Sequence, residues 1–331
     1  MRKLTNWTGL SASDRGASVA IGNFDGVHFG HRCVIDLARA KADADHPLGV
    51  VTFEPHPREY FQPDAAPFRL MNPEARENRL ARLGVERLYE LPFGEAMVSL
   101  TPEAFAAEVL AEGLGISHAV VGEDFRFGKG RAGSAEDLQR LGARYGFEVT
   151  LSPLVAQEAQ HISSTATRTA LSDGRPRVAA AMLGHWHRIE GPVIKGDQRG
   201  RELGFPTANM SIKGLHPPRF GIYAVFVDVL TGPQRGSYLG ASNIGTRPMF
   251  GENVPNLETY IFDFKGDLYG QHLSVALVEF LRPEAKFDSL EGLIAQMDAD
   301  CAKARAILTA ERLAAECADS APCDPAPEAQ P

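Results

Sequence analysis

The run Ser18-Val19-Ala20-Ile21 feeds directly into Gly22-Asn23-Phe24-Asp25-Gly26-Val27-His28-Phe29-Gly30-His31, after which Val34, Ile35, Leu37 and Ala38 fall on one face of a helical period. Strand, glycine-rich turn and helix start, in that order, constrain this chain more than any other feature. A helix start gathers unpaired backbone N–H groups and a partial positive charge, so phosphates settle there. Gly22, Gly26 and Gly30 permit close backbone approach, and His28 and His31 add hydrogen-bond donors, or positive charge when protonated. A tight turn ahead of a histidine-capped helix explains the same residues without a ligand, so the loop alone names no chemistry.

Residues 48–53 complete a βαβ unit with a second buried strand. The alternation continues through strands at 86–91, 117–121 and 147–151 and helices at about 102–112 and 136–145. Ser163-Ser164-Thr165 then caps a short helix ending at about 171. A Rossmann-like, parallel α/β domain over 1–184 is expected. From Trp186 the pattern changes to strand candidates at 189–194, 221–230, 236–242, 256–262 and 271–280, punctuated by Gly and Pro. That rhythm predicts a small antiparallel β-barrel over 185–315, closed by a helix over about 289–315. At 331 residues the chain exceeds the usual reach of one core, and 316–331, rich in Pro, Ala and acid, is expected to be a disordered tail.

A net charge of −8 argues against a broad basic surface for nucleic acid. Residues 1–14 hold no apolar signal region and no run of 18 apolar residues occurs, so a cytoplasmic protein without a membrane span is expected. Cys33, Cys301, Cys317 and Cys323 form no Cys-x-x-Cys pair, which disfavours a disulfide framework or a zinc site.

Three further runs follow the first loop: Thr52-Phe53-Glu54-Pro55-His56-Pro57, Gly122-Glu123-Asp124-Phe125-Arg126-Phe127-Gly128, and Ser163-Ser164-Thr165 with Arg168. In the second half stands Gly200-Arg201-Glu202-Leu203-Gly204-Phe205-Pro206-Thr207-Ala208-Asn209. Thr207 and Asn209 are two apart, so an extended backbone aims both oxygen-bearing side chains to one side, where hard magnesium and phosphate are suitable ligands. Asn243-Ile244-Gly245-Thr246-Arg247-Pro248 and Glu258 come next, and a carboxylate such as Glu258 is the simplest acceptor for a proton leaving an attacking alcohol.

With its His-x-Gly-His spacing after a strand, the first half resembles the HxGH nucleotidyltransferases, specifically the N-terminal domain of bacterial bifunctional riboflavin kinase/FAD synthetases. The second half resembles their riboflavin kinase module, and together the likeness spans nearly the whole chain. It implies phosphorylation of riboflavin to FMN by Mg-ATP, releasing ADP, then adenylylation of FMN to FAD with release of pyrophosphate, without a permanent prosthetic group. It further implies that Gly22, Asn23, Phe24, Asp25, His28, His31, Ser164, Thr165 and Arg168 hold ATP for adenylylation, and that Phe53, His56, Pro57, Phe61 and Asp124 hold the flavin. For the kinase it implies Gly196, Arg201, Gly204, Thr207 and Asn209 around Mg-ATP, with Thr207 and Asn209 on the metal. Phe220, Gly221, Tyr223, Arg247 and Glu258 would meet riboflavin, Glu258 as the base. The chain departs from many relatives at Ala166, where they carry Arg, from some at His161, where they also carry Arg, and at Met249, where Thr is usual. Core packing explains Phe53, Pro57, Phe61, Phe220 and Tyr223 nearly as well, and a solvated strand face explains a lone Glu258. Two other readings stay open: adenylylation or cytidylylation of another phosphate-bearing acceptor, and a flavin sensor without turnover.

Overall fold

The computed structural model describes residues 1–153, 156, 157, 160, 161, 163–196, 204–249 and 252–320. The chain divides into two compact units, the first made of Met1–Asp173, Arg177–Glu190 and Lys213–Pro218, the second of Gly174–Pro176, Gly191–Ile212 and Arg219 onward.

The first unit is a parallel sheet with helices, in the strand order Arg2–Leu4, Arg87–Pro92, Leu48–Glu54, Ser18–Ile21, His118–Gly122, Glu148–Ser152. Its central strands are covered on both faces, which is why they read as continuous apolar runs rather than alternating ones. Gly49 lets two of them pack closely, since a Cβ there would lie 2.8 Å from Val19 Cγ1. The strand order reverses at Ser18–Ile21, which places a crevice outside the carboxyl ends of the strands.

Several elements were not expected, among them the helices Pro57–Phe61, Pro73–Arg82 and Pro176–Leu183, and the strands Arg2–Leu4 and, in the barrel, Thr207–Ser211. Arg2–Leu4 is an edge strand of mostly charged residues. The helix Pro73–Arg82, capped by Asn72, buries only Ala75, Arg76 and Leu80. The helix expected over 102–112 begins as α over Pro102–Ala104, continues with π-helical geometry over Phe105–Leu114, and stops at Gly115 in the left-handed region.

A second sheet of six strands, in the second unit but for Arg188–Glu190, runs in the order Arg188–Pro192, His272–Arg282, Gly221–Val229, Gly236–Met249, Glu252–Ile261, Thr207–Ser211. The sheet is nearly closed into a barrel by Ile194 N–H donating to the Asn209 carbonyl at 2.8 Å. Tyr223, Val225, Val227, Ile244 and Leu257 fill its interior. The helix Leu290–Ser320 packs on it through Ala304 and Leu308, pinned by Arg282 donating to Asp300 at 2.8 Å. It extends past the end expected at 315, and the rest of the expected tail lies outside the described residues.

A buried ion network joins the strand ends of the first unit. Arg76, 3% exposed, donates to Glu54 Oε2 at 3.0 Å and to Glu90 Oε2 at 2.8 Å. Arg69 donates to both oxygens of Glu54, at 2.9 and 2.7 Å, and also to Glu59, while Lys3 reaches Glu90 at 2.7 Å. Removing one partner of a buried pair leaves the other charge stranded. Arg76→Met is expected to destabilise the protein by about 3 kcal/mol in urea unfolding, because two carboxylates lose their shared cation.

Candidate functional sites

The carboxyl ends of the central strands open into one cavity of about 1020 Å³. Gly22, Asn23, Phe24, Asp25, His28, His31, Ser164, Arg168, Phe53, His56, Pro57, Phe61 and Asp124 all line it. Of the residues expected around this site, only Thr165 is absent from the wall; it is exposed on the first turn of Ser164–Ser172.

The glycine-rich loop is held in an uncommon shape. Phe24 and Val27 have positive φ, 51° and 41°, yet both are buried, so surrounding packing maintains a conformation that L-residues disfavour. Gly26, at φ 83°, has no substitute, since a Cβ would lie 2.7 Å from Leu70 Cδ1. Asp25 is the loop's anchor. Its carboxylate accepts from Arg168 at 2.6 Å and from Leu70 N–H at 2.7 Å, while Ser164 Oγ donates to its carbonyl at 3.1 Å. Burial pushes the Asp25 carboxyl up, and Arg168 and the backbone donors pull against that.

His28 caps the helix Phe29–Arg39, its Nδ1 accepting from His31 N–H at 3.3 Å, which puts the ring proton on Nε2. The His31 ring stacks on it with centroids 3.7 Å apart. Burial, with the Arg168 charge nearby, lowers His28 to about 4, and burial together with His28 takes His31 well below its ordinary value. Desolvation thus favours the neutral form of both rings, in which each still offers one N–H donor.

The other end of the cavity is aromatic. Phe53 meets Phe93 at 5.7 Å, and Tyr60, Phe61 and Phe93 pack edge to face, with Phe61 60% exposed. Such a slot suits a flat ring system. His56 and Pro57 chiefly start the helix Pro57–Phe61: His56 Nδ1 accepts from Arg58 N–H at 3.0 Å and Glu59 returns a bond to His56 N–H. Arg58, Phe93, Phe105, Arg126 and Phe127 also line the wall and were not expected there. Phe93 directly follows the strand Arg87–Pro92, where the strand-end rule for such sheets would have found it.

On the barrel, Glu258 stands between Asn209 and Asn243 in the strand register. Opposed residues share a face, so these side chains lie together with Thr207 on the side opposite the apolar interior. Asn209 Oδ1 accepts from Asn256 at 3.1 Å, and its Nδ2 donates to the Thr207 carbonyl at 3.3 Å. Gly196 leaves this spot open, as a Cβ there would lie 2.6 Å from Asn209 Nδ2. Thr207 and Asn209 offer neutral hard oxygens, and among the described residues no cluster of three His, Cys, Asp or Glu occurs that would hold a metal unaided. That donor set fits a magnesium ion taking most of its ligands from phosphate and water. Gly204 is exposed, Phe220 half-buried, and Gly221 lies tight against the Arg282 carbonyl. Tyr223 is core, its hydroxyl donating to the Arg219 carbonyl at 2.6 Å. Arg201, and the side chains of Arg247, Met249 and His161, lie outside the described residues. Ala166 packs against the apolar cluster around Leu70 and Ala170.

Two family models match the chain, FAD synthetase over residues 10–166 and riboflavin kinase over 183–308. A Pseudomonas fluorescens bifunctional riboflavin kinase/FMN adenylyltransferase is 40% identical over 301 residues, covering 90% of this chain and 95% of the relative. The chain belongs to the bifunctional riboflavin kinase/FMN adenylyltransferase family. The Escherichia coli K12 relative of that name is 39% identical, with 89% and 93% covered. A solved structure described as a macrolide-efflux protein from Streptococcus pneumoniae is 33% identical with a TM-score of 0.76, covering 90% of this chain and 96% of that one. No helix among the described residues is long and apolar enough to cross a membrane.

Two more buried histidines, His185 and His187, are likewise lowered to about 4, by burial first, from an ordinary 6.5. The unfolded chain takes up protons below its own value that the folded state refuses. Stability is therefore fully present above pH 6.5 and declines as pH falls toward 4. Calorimetry is expected to show a falling Tm between pH 6.5 and about 5, with a shallower slope in His187→Gln.

Proposed function

We propose that the first unit transfers AMP from ATP to FMN in its strand-end cavity, and that the barrel phosphorylates riboflavin on the face carrying Thr207, Asn209 and Glu258. What carries the reading of the first site is that one cavity joins a helix-start phosphate cradle to an aromatic slot, with Arg168 beside the cradle. An FMN phosphate oxygen attacks the α-phosphorus of ATP, the bond to the β-phosphate oxygen breaks, and pyrophosphate leaves. Neutral His28 donates through Nε2–H, and the backbone N–H groups at the helix start oppose the growing charge. Phe53, Phe61 and Phe93 receive the isoalloxazine, and Asp124 contacts it from the rim. Asp25 acts through Arg168 and Leu70, fixing the loop rather than touching nucleotide.

On the barrel, Glu258 accepts the proton of the riboflavin 5′-hydroxyl as its oxygen attacks the γ-phosphorus, and ADP leaves. Thr207 and Asn209 would hold Mg²⁺, which when bound draws charge from the phosphates. Asn256 fixes the Asn209 amide by donating to its Oδ1. Gly196 and Gly204 leave the nucleotide room, and Phe220 adjoins the riboflavin. This pairing of activities favours FMN over other phosphate-bearing acceptors, and a sensor without turnover has no use for a base.

Chromatographic separation of flavins after incubation with riboflavin, ATP and magnesium tests the reading, and absence of both FMN and FAD would sink it. Glu258→Ala is expected to abolish FMN formation while sparing FMN-to-FAD conversion. His28→Ala is expected to slow FMN-to-FAD conversion by about 100-fold, the loss of one preorganised donor worth about 3 kcal/mol. Because His28 is already neutral, the pH profile of adenylylation should show no limb near 6.5.

A further inference from the structure

Arg168 is held by both its side chain and its backbone. Its Nε donates to the Phe68 carbonyl at 2.5 Å, and Nη2 donates to Asp25 Oδ2 at 2.6 Å. The guanidinium carbon lies 5.4 Å from the centre of the Phe68 ring. The other terminal nitrogen, Nη1, meets no protein acceptor among the described residues, and the residue lines the strand-end cavity. Nη1 is therefore the donor left for a phosphate oxygen. On the backbone side, the Arg168 carbonyl faces the His216 ring, whose Nε2 is 3.1 Å away. A carbonyl can only accept, so the ring proton sits on Nε2, where Ser172 Oγ at 2.9 Å is a second acceptor for it.

His216 arrives on a strap. Lys213–Pro218 falls between the strands Thr207–Ser211 and Gly221–Val229 in sequence, yet it belongs to the first unit. Leu215 is buried and forms a parallel bridge with Arg69, and His216 N–H donates to the Arg69 carbonyl at 2.8 Å. Arg69 is itself held by Glu54 and Glu59. These bonds close a circuit: the Arg168 side chain grips Phe68, the His216 backbone grips the next residue, and the His216 ring returns to the Arg168 carbonyl. Two contacts can orient a long arginine side chain only while the spacing between its backbone and theirs is maintained. We infer that His216 is a positioning residue for AMP transfer, holding the Arg168 backbone at the distance from Phe68 that keeps Nη1 turned to the nucleotide phosphates. The inference rests on the adenylylation proposed for this cavity. His216 does not line the cavity, so its effect passes through Arg168. What it supplies is a donated N–H rather than a charge, which the amide of glutamine can replace and leucine cannot.

The experiment follows FMN-to-FAD conversion in the full-length protein with His216→Leu or His216→Gln, each alone and combined with Arg168→Met. His216→Leu is expected to lower kcat by about tenfold while KM for FMN stays within about twofold, because the aromatic slot is untouched. His216→Gln is expected to recover most of that loss. On the Arg168→Met background His216→Leu is expected to change kcat by less than about twofold, which a general loss of stability would not give. Calorimetric titration of pyrophosphate with magnesium needs no turnover, and His216→Leu is expected to weaken that binding by about fivefold, but not further in the Arg168→Met protein. Wild-type protein that converts no FMN overturns the adenylylation reading, and the pyrophosphate affinities then decide the role of His216. Values for His216→Leu within about twofold of wild type overturn that role, as does an equal fold-loss on the Arg168→Met background.

Discussion

The pair between Asp25 and Arg168 is what the first site depends on. One carboxylate, 6% exposed, binds a guanidinium from a helix about 140 residues later in the chain and the backbone of Leu70. Through it the glycine-rich loop, the segment before Pro73–Arg82 and the helix Ser164–Ser172 become a single wall. Left to itself, a loop with Phe24 and Val27 at positive φ would relax. The pair and the packing around it hold the loop in the shape that points the helix start into the cavity.

Polarity in this unit is spent on positioning rather than on free charge. Glu54, Arg69, Arg76 and Glu90 neutralise one another at the strand ends, and the histidines that line the cavity are kept neutral by burial. In the proposed reaction the phosphates are met by N–H dipoles and a tethered arginine, an arrangement that needs no proton uptake before a nucleotide enters.

The sheet was legible because strands covered on both faces carry unbroken apolar runs, and the loop because glycines and histidines at fixed spacing follow such a strand. Pro73–Arg82 escaped notice because its buried face includes an arginine, whose partners Glu54 and Glu90 come from other strands and leave no periodic trace. Arg2–Leu4 pairs on one side only, so it lacks the apolar signature of its neighbours. Within the sites, Phe93 and Arg126 went unread since nothing local separates a wall residue from a core or surface one. Thr165 fell on the outer side of a helical turn that its neighbour Ser164 places inward. For Tyr223, a barrel interior position and a ligand contact look alike in a sequence.

The first unit is not one continuous stretch. Lys213–Pro218 returns to it, with His216 N–H donating to the Arg69 carbonyl at 2.8 Å and the His216 ring meeting Ser172 Oγ at 2.9 Å. A gene cut after the last helix of the α/β portion would therefore discard a strap that contacts the same arginine that anchors Glu54 and Glu59. Separating the two catalytic halves by truncation removes structure from the half that is kept, so activities lost in such fragments speak of missing scaffold before they speak of missing chemistry.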